Sequence, residues 1–152
     1  MLPGSRVLVI ENEHCFHLLP TLPATVAILG AGLDLQWLGS RVFDGKAVAY
    51  WGDLDTWGLL MLSRARQYRA NLTPLLMEQS LFDSNAEASA VAEPVIAQNE
   101  PPASLSEDEQ KFYMHLLDQK KGRLEQEYLP QTEIHKALLG WLGGLEVMCP
   151  EV

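Results

Sequence analysis

Three carboxylates stand where a cation could use them. Glu11 follows the apolar run Arg6-Val-Leu-Val-Ile10. Asp53 and Asp55 follow Lys46-Ala-Val-Ala-Tyr-Trp51, with a single leucine between them. Residues two apart on an extended chain face the same side. Asp53 and Asp55 therefore share a pocket if the extended geometry carries through Leu54, and Glu11 joins them if the two runs are neighbouring strands. Three acids brought together without a base repel one another, and a divalent cation among them keeps them ionised together. Oxygen-only ligands with room for water favour Mg²⁺ or Mn²⁺. An ion so held neutralises charge and activates water in phosphoryl chemistry.

Other readings of the same residues stand beside this one. Asp is favoured in turns and at helix N-caps, so Asp53 and Asp55 could serve only there. An Asp-x-Asp after a strand also suits a haloacid-dehalogenase-like phosphatase, with Asp53 as nucleophile and Asp55 as acid/base. That chemistry needs a further acid pair after a later strand, and Thr56 stands one position early for its pattern. Gly30-Ala31-Gly32 is a partial dinucleotide fingerprint whose third glycine is replaced by Leu35, so a tight turn is the better role.

The elements that must position these groups alternate. Strands are predicted over 6–10, 25–29, 46–51 and 72–77, the last with Pro74 marking an edge or a strand start. Helical pieces are predicted over 14–19, 33–38 and 57–69, the last capped by Asp55 or Thr56. This alternation argues for an α/β fold with a mostly parallel four-stranded sheet flanked by helices. Ligands collect at the carboxyl ends of strands in such sheets, and Glu11, Gly30, Gly32, Asp53 and Asp55 fall at those ends. The first 82 residues form the expected core. Residues 83–103, polar and with Pro94, Pro101 and Pro102, read as an acidic loop or disordered linker. Residues 104–152 read as a C-terminal helical extension packing on the core. Its helices are predicted over 107–120, capped by Ser104 or Ser106, over 123–128, and from Thr132 to about Leu142.

The chain has 152 residues, 47% hydrophobic and 20% charged, an ordinary globular composition that suits one domain. No apolar run reaches the roughly 18–20 residues of a membrane span. The first residues do not read as a signal peptide, so a cytoplasmic location is expected. Cys15 and Cys149 are too few for a disulfide scaffold or a four-thiolate zinc site. The net charge of -9 has an address: residues 1–77 balance, whereas residues 78–110 carry eight acids and no base. A chain so charged is a poor DNA binder by itself, because phosphate contacts need Lys and Arg.

Val9-Ile10-Glu11-Asn12-Glu13, Ile28-Leu29-Gly30-Ala31-Gly32 and Tyr50-Trp51-Gly52-Asp53-Leu54-Asp55-Thr56-Trp57-Gly58 together resemble the Toprim domain of the C-terminal family of the Wadjet subunit JetD, related to topoisomerase VI A-type Toprim domains. Arg123-Leu124-Glu125-Gln126-Glu127-Tyr128-Leu129-Pro130 resembles that family's late signature, and Leu76-Met77-Glu78 its strand ending in Met-Asp, with Glu for Asp. The likeness runs from about residue 6 to 142. It implies a Toprim-like fold with Mg²⁺ (or Mn²⁺) held by Glu11, Asp53 and Asp55. It implies a metal-dependent nuclease that cleaves closed circular plasmid DNA when loaded by an SMC–kleisin-type motor complex, in a homodimer associated with the nucleoid. Family members carry a long N-terminal region with a winged-helix-like DNA-binding part, whereas about five residues precede the first strand here. Cleavage by this chain alone is therefore not expected, and a catalytically silent Toprim module for dimerisation or docking is the alternative.

Other residues have plainer roles. Arg64, Arg66 and Arg69 follow the Asp-x-Asp on one helix, where a solvated face is the commoner outcome than phosphate contact. His14 and His17 flank Cys15 without a second pair of zinc ligands, which favours packing and surface roles. Trp51 and Trp57 are expected to wall the site or pack in the core. Glu125 and Glu127 are expected to contact Arg123 or a dimer partner.

Overall fold

The computed structural model describes residues 2–148. Four parallel strands, β1 (Arg6–Ile10), β2 (Thr25–Leu29), β3 (Ala47–Trp51) and β4 (Thr73–Pro74), form one sheet in the order β2-β1-β3-β4. β1 lies centrally, with Val7, Leu8, Val9 and Ile10 all fully buried. That is why it reads as a continuous apolar run rather than an alternating one. In register, Arg6 pairs with Ala47 and Ile10 with Trp51. The chain leaves β1 toward β2 on one side, and β3 lies on the other, so the strand order reverses between β1 and β3. A crevice opens at such a point.

The α/β architecture with a four-stranded parallel sheet and flanking helices is as expected, and it is consistent with the Toprim likeness. Some elements differ from expectation. β4 is two residues long instead of six. Leu76 takes a φ of 59°, left-handed backbone that ends the strand, while Leu75 N–H still donates to Tyr50 O at 2.9 Å. The segments expected as helices over 14–19 and 33–38 are 3₁₀ turns over Glu13–Leu18 and Gln36–Gly39.

α1 (Thr56–Tyr68) is buried along most of its length, including Gly58 through Ser63. A helix covered nearly all round carries no strong polar stripe, because the 3₁₀ turn over Gln36–Gly39 takes one face and α3 (Glu107–Asp118) another. Ser106 and Glu109 close a reciprocal capping box at the start of α3. Arg66 clasps the two helices: its guanidinium grips the Glu109 carboxylate with both terminal nitrogens and also donates to Ser104 O at 3.1 Å. Arg69 donates to Leu38 O and Ser40 O and lies over the Phe43 ring. Of the three arginines, Arg64 alone is exposed.

The loop expected from residue 83 begins inside a helix, α2 (Gln79–Ser89). Phe82 decides this by packing on Phe112 of α3, with ring centroids 5.8 Å apart, and against the edge of His115. His115 Nε2 lies 2.8 Å from Asp83 Oδ1. Residues 90–105 are irregular but held down: Ala97 N–H donates to Thr56 Oγ1, Trp57 Nε1 to Val95 O, and Ser104 N–H to Ser63 Oγ. Residues 123 and 124 are extended, pairing antiparallel with Val91 and Leu54, and only 126–128 form a 3₁₀ turn. α4 (Gln131–Met148) starts beside Pro130 and runs past Leu142. Cys149 lies outside the described residues.

Removing the Arg66 clasp strands a half-buried carboxylate on α3. Arg66→Ala is expected to lower stability by about 1–3 kcal/mol, read as a shifted urea midpoint with an unchanged slope. A midpoint equal to wild type would show that the clasp holds nothing.

Candidate functional site

The carboxyl ends of β1 and β3 bring the three acids to one place. Glu11 N–H donates to Trp51 O at 3.1 Å, extending the ladder by one residue. The Glu11 side chain then reaches across: its Oε2 accepts from Asp53 N–H at 3.1 Å. Gly52 has no side chain because that carboxylate occupies the space. A Cβ there would lie 2.7 Å from Glu11 Oε2. Asp53 Oδ1 accepts from Gln126 N–H at 2.9 Å. Asp55 is extended (φ -150°) and is the N-cap of α1, its Oδ1 accepting from Gly58 N–H at 2.6 Å. The capping role is thus real, and Asp55 Oδ2 still faces Arg123 Nε at 3.6 Å.

Glu11, Asp53 and Asp55 line one cavity of about 260 Å³ with Trp57, Glu93 and Arg123. Trp57 walls the site, whereas Trp51 is fully buried in the core. The cavity is lined by four carboxyl groups and one guanidinium. Burial, with Asp53 beside it, pushes the Glu11 carboxyl up to about 7. Burial, with Asp53 and Glu11 nearby, pushes Asp55 up to about 8 against the pull of the Gly58 N–H. Asp53 is raised too, chiefly by burial. Tyr50, fully buried with no hydrogen-bond partner for its hydroxyl, has its ionisation pushed well above the usual range by burial and the Glu11 charge.

Among the described residues, no group of three or more His, Cys, Asp or Glu side chains is arranged to hold a metal ion as it stands. The acids share a cavity without closing on a point, because hydrogen bonds to Asp53 N, Gln126 N and Gly58 N each tie down one oxygen. The donor set nevertheless has the chemistry a hard divalent ion takes. It is oxygen only, desolvated, and short of positive charge. Glu11 Oε1 and Asp53 Oδ2 have no hydrogen bond among the described residues.

Three contributors to the site were not singled out from sequence for these roles. Gln126 is fully buried: Oε1 accepts from Asn12 N–H at 2.8 Å and Nε2 donates to Trp51 O at 2.7 Å, tying the ends of β1 and β3 together. It lies within the Arg123–Pro130 stretch, so the signal was present, but residue type alone does not separate a buried amide from a surface one. Arg123, expected to meet Glu125 or Glu127, binds Glu125 at 2.9 Å and also enters the cavity. Glu93 accepts the Thr56 hydroxyl at 2.6 Å, and nothing in the sequence marked it. His14 and His17 are exposed and Cys15 is buried, away from any zinc-like cluster. The phosphatase pattern lacks its later acid pair: β4, the one later strand among the described residues, is followed by Glu78 alone.

The model of the family described as Wadjet protein JetD, C-terminal, matches residues 1–138 of the chain. No curated protein matches it. No helix among the described residues is long and apolar enough to cross a membrane.

Two outcomes follow from this geometry. A Cβ at position 58 would stand 1.9 Å from Asp53 O, so Gly58→Ala is expected to cost about 1–3 kcal/mol or more. The measurement is urea unfolding, and a neutral result would mean the Asp53 turn is not close-packed. The second outcome concerns pH. The folded carboxyls of Glu11 and Asp55 keep protons that the unfolded chain, at 4.5 and 3.8, has released. Their contribution is fully present below those values and is lost as pH rises through about 7 and about 8. The Tm of metal-free protein should therefore fall across that window by roughly several degrees, and Glu11→Gln should flatten the fall. A Tm that rises over the same range would contradict the raised carboxyls.

Proposed function

The chain belongs to the Wadjet JetD C-terminal family, and on that premise we propose that it is a Toprim nuclease domain in an SMC-associated anti-plasmid system, cleaving DNA with Mg²⁺ or Mn²⁺. The observation that carries this reading is the single cavity where Glu11, Asp53 and Asp55 stand together at the carboxyl ends of β1 and β3. The substrate is closed circular plasmid DNA, delivered to a homodimer by an SMC–kleisin-type motor. The acidic balance of the chain supports delivery by partners rather than capture by its own surface.

Glu11, Asp53 and Asp55 would hold the ion, which supplies charge neutralisation at a phosphate and acidifies a water. The remaining work belongs to the chain. Glu11 Oε2 stays on the Asp53 N–H, which leaves Oε1 as the oxygen open to the ion. Gln126 N–H fixes the rotamer of Asp53, and Gly58 N–H fixes that of Asp55. Trp57, tethered to Val95 O at 2.9 Å, covers one wall and limits bulk water.

A second reading, a catalytically silent docking or dimerisation module, is favoured by one observation: the acids are not gathered around a point. Plasmid cleavage in the reconstituted assembly separates the two. EDTA, Glu11→Ala and Asp53→Ala should each reduce cleavage by at least about a hundredfold. Cleavage that survives all three would leave the docking module as the correct account.

A further inference from the structure

Arg123 is the one base lining a cavity whose other charged residues are four carboxylates, Glu11, Asp53, Asp55 and Glu93. Its backbone cannot swing away. The Arg123 N–H and C=O are paired with Val91 at 3.0 and 2.8 Å, and the next residue, Leu124, is paired with Leu54 at 3.0 Å in both directions. Its side chain is held less firmly. A terminal nitrogen forms an ion pair with Glu125 Oε1 at 2.9 Å. Nε, by contrast, is buried without a hydrogen-bond partner and stands 3.6 Å from Asp55 Oδ2, close enough for charge attraction but too long for a hydrogen bond. The guanidinium is thus anchored at one end by Glu125 and paired loosely at the other with Asp55.

A buried donor left unpaired is costly, and a full bidentate pair with Asp55 would remove that cost. The loose geometry leaves Asp55 Oδ2 open to another cation while the positive charge stays close. Resting on the metal reading above, we propose that Arg123 is the resident counter-ion of this cavity: it offsets the acids while no divalent cation is present, and it competes with that cation for Asp55. Arg123 is a positioning residue in this account and touches neither substrate nor metal.

Calorimetric titration of the full chain with Mn²⁺ at about pH 8, where protons compete less for the acids than at neutrality, reads the proposal directly. Arg123→Gln should bind Mn²⁺ about tenfold tighter, because a like charge has been removed beside the site. Arg123→Lys should stay near wild type. The same Gln variant should lower the Tm of metal-free protein more than that of Mn²⁺-loaded protein. A purely structural staple predicts the reverse, with weaker Mn²⁺ binding and equal losses of Tm. Glu125→Gln, at a half-buried position, covers the case in which Arg123→Gln does not fold. The guanidinium it frees should settle on Asp55 and weaken Mn²⁺ binding several-fold, and unchanged or tighter binding would overturn the proposal. If wild type binds Mn²⁺ but Arg123→Gln binds it no tighter, the counter-ion role alone fails. If wild type shows no Mn²⁺ binding that Asp55→Ala abolishes, the metal reading fails and takes this role with it.

Discussion

The structure depends on one contact: the Glu11 carboxylate accepting the Asp53 amide across the ends of two adjacent parallel strands. It exists because β1 and β3 pair in a register that sets Ile10 beside Trp51, so the next residues of both strands meet. A slip of one residue would turn Glu11 to the other face of the sheet. Gly52 is small because the carboxylate lies against it, and Gly58 is small because Asp53 O does. Charge placed so deep carries a desolvation cost, which appears as carboxyls held well above their ordinary range.

The C-terminal part of the chain completes this arrangement and is no mere appendage to it. Leu124 pairs with Leu54 inside the Asp-x-Asp, the Gln126 amide ties Asn12 to Trp51, and its backbone N–H orients Asp53. The stretch over 90–105 closes the other side, with Glu93 at the start of α1 and Val95 bonded to Trp57. The site is therefore assembled from segments separated by more than 70 residues of chain. Bringing such distant segments together carries a loop-closure entropy that the finished packing must offset.

Much of the sheet was legible because apolar, β-branched strands leave a strong trace, whether buried as β1 and β3 are or half-buried as β2 is. β1, β2 and β3 appear as compact apolar runs at nearly their observed limits. The short strand and the α2 helix were less legible. Nothing in Leu72-Thr-Pro-Leu-Leu-Met77 announces left-handed backbone at Leu76, a conformation a leucine adopts only when its surroundings compel it. Residues 79–89 carry only Leu81 and Phe82 as buried residues, too few for a visible helical stripe. The helix forms because Phe82 finds Phe112 and His115 on α3.

The amino-acid sequence by itself determined the alternation of elements, the family, and the positions of Glu11, Asp53 and Asp55 at strand ends. Those depend on local periodicity and on residue type, which the chain carries wherever it lies. The tertiary structure alone decided that Gln126 is buried beneath those acids, that Arg123 and Glu93 face them, and that their oxygens are shared with backbone amides. These are properties of neighbours distant along the chain, and the environment that turns a surface glutamine into a buried bracket exists only once the sheet and the extension have packed together.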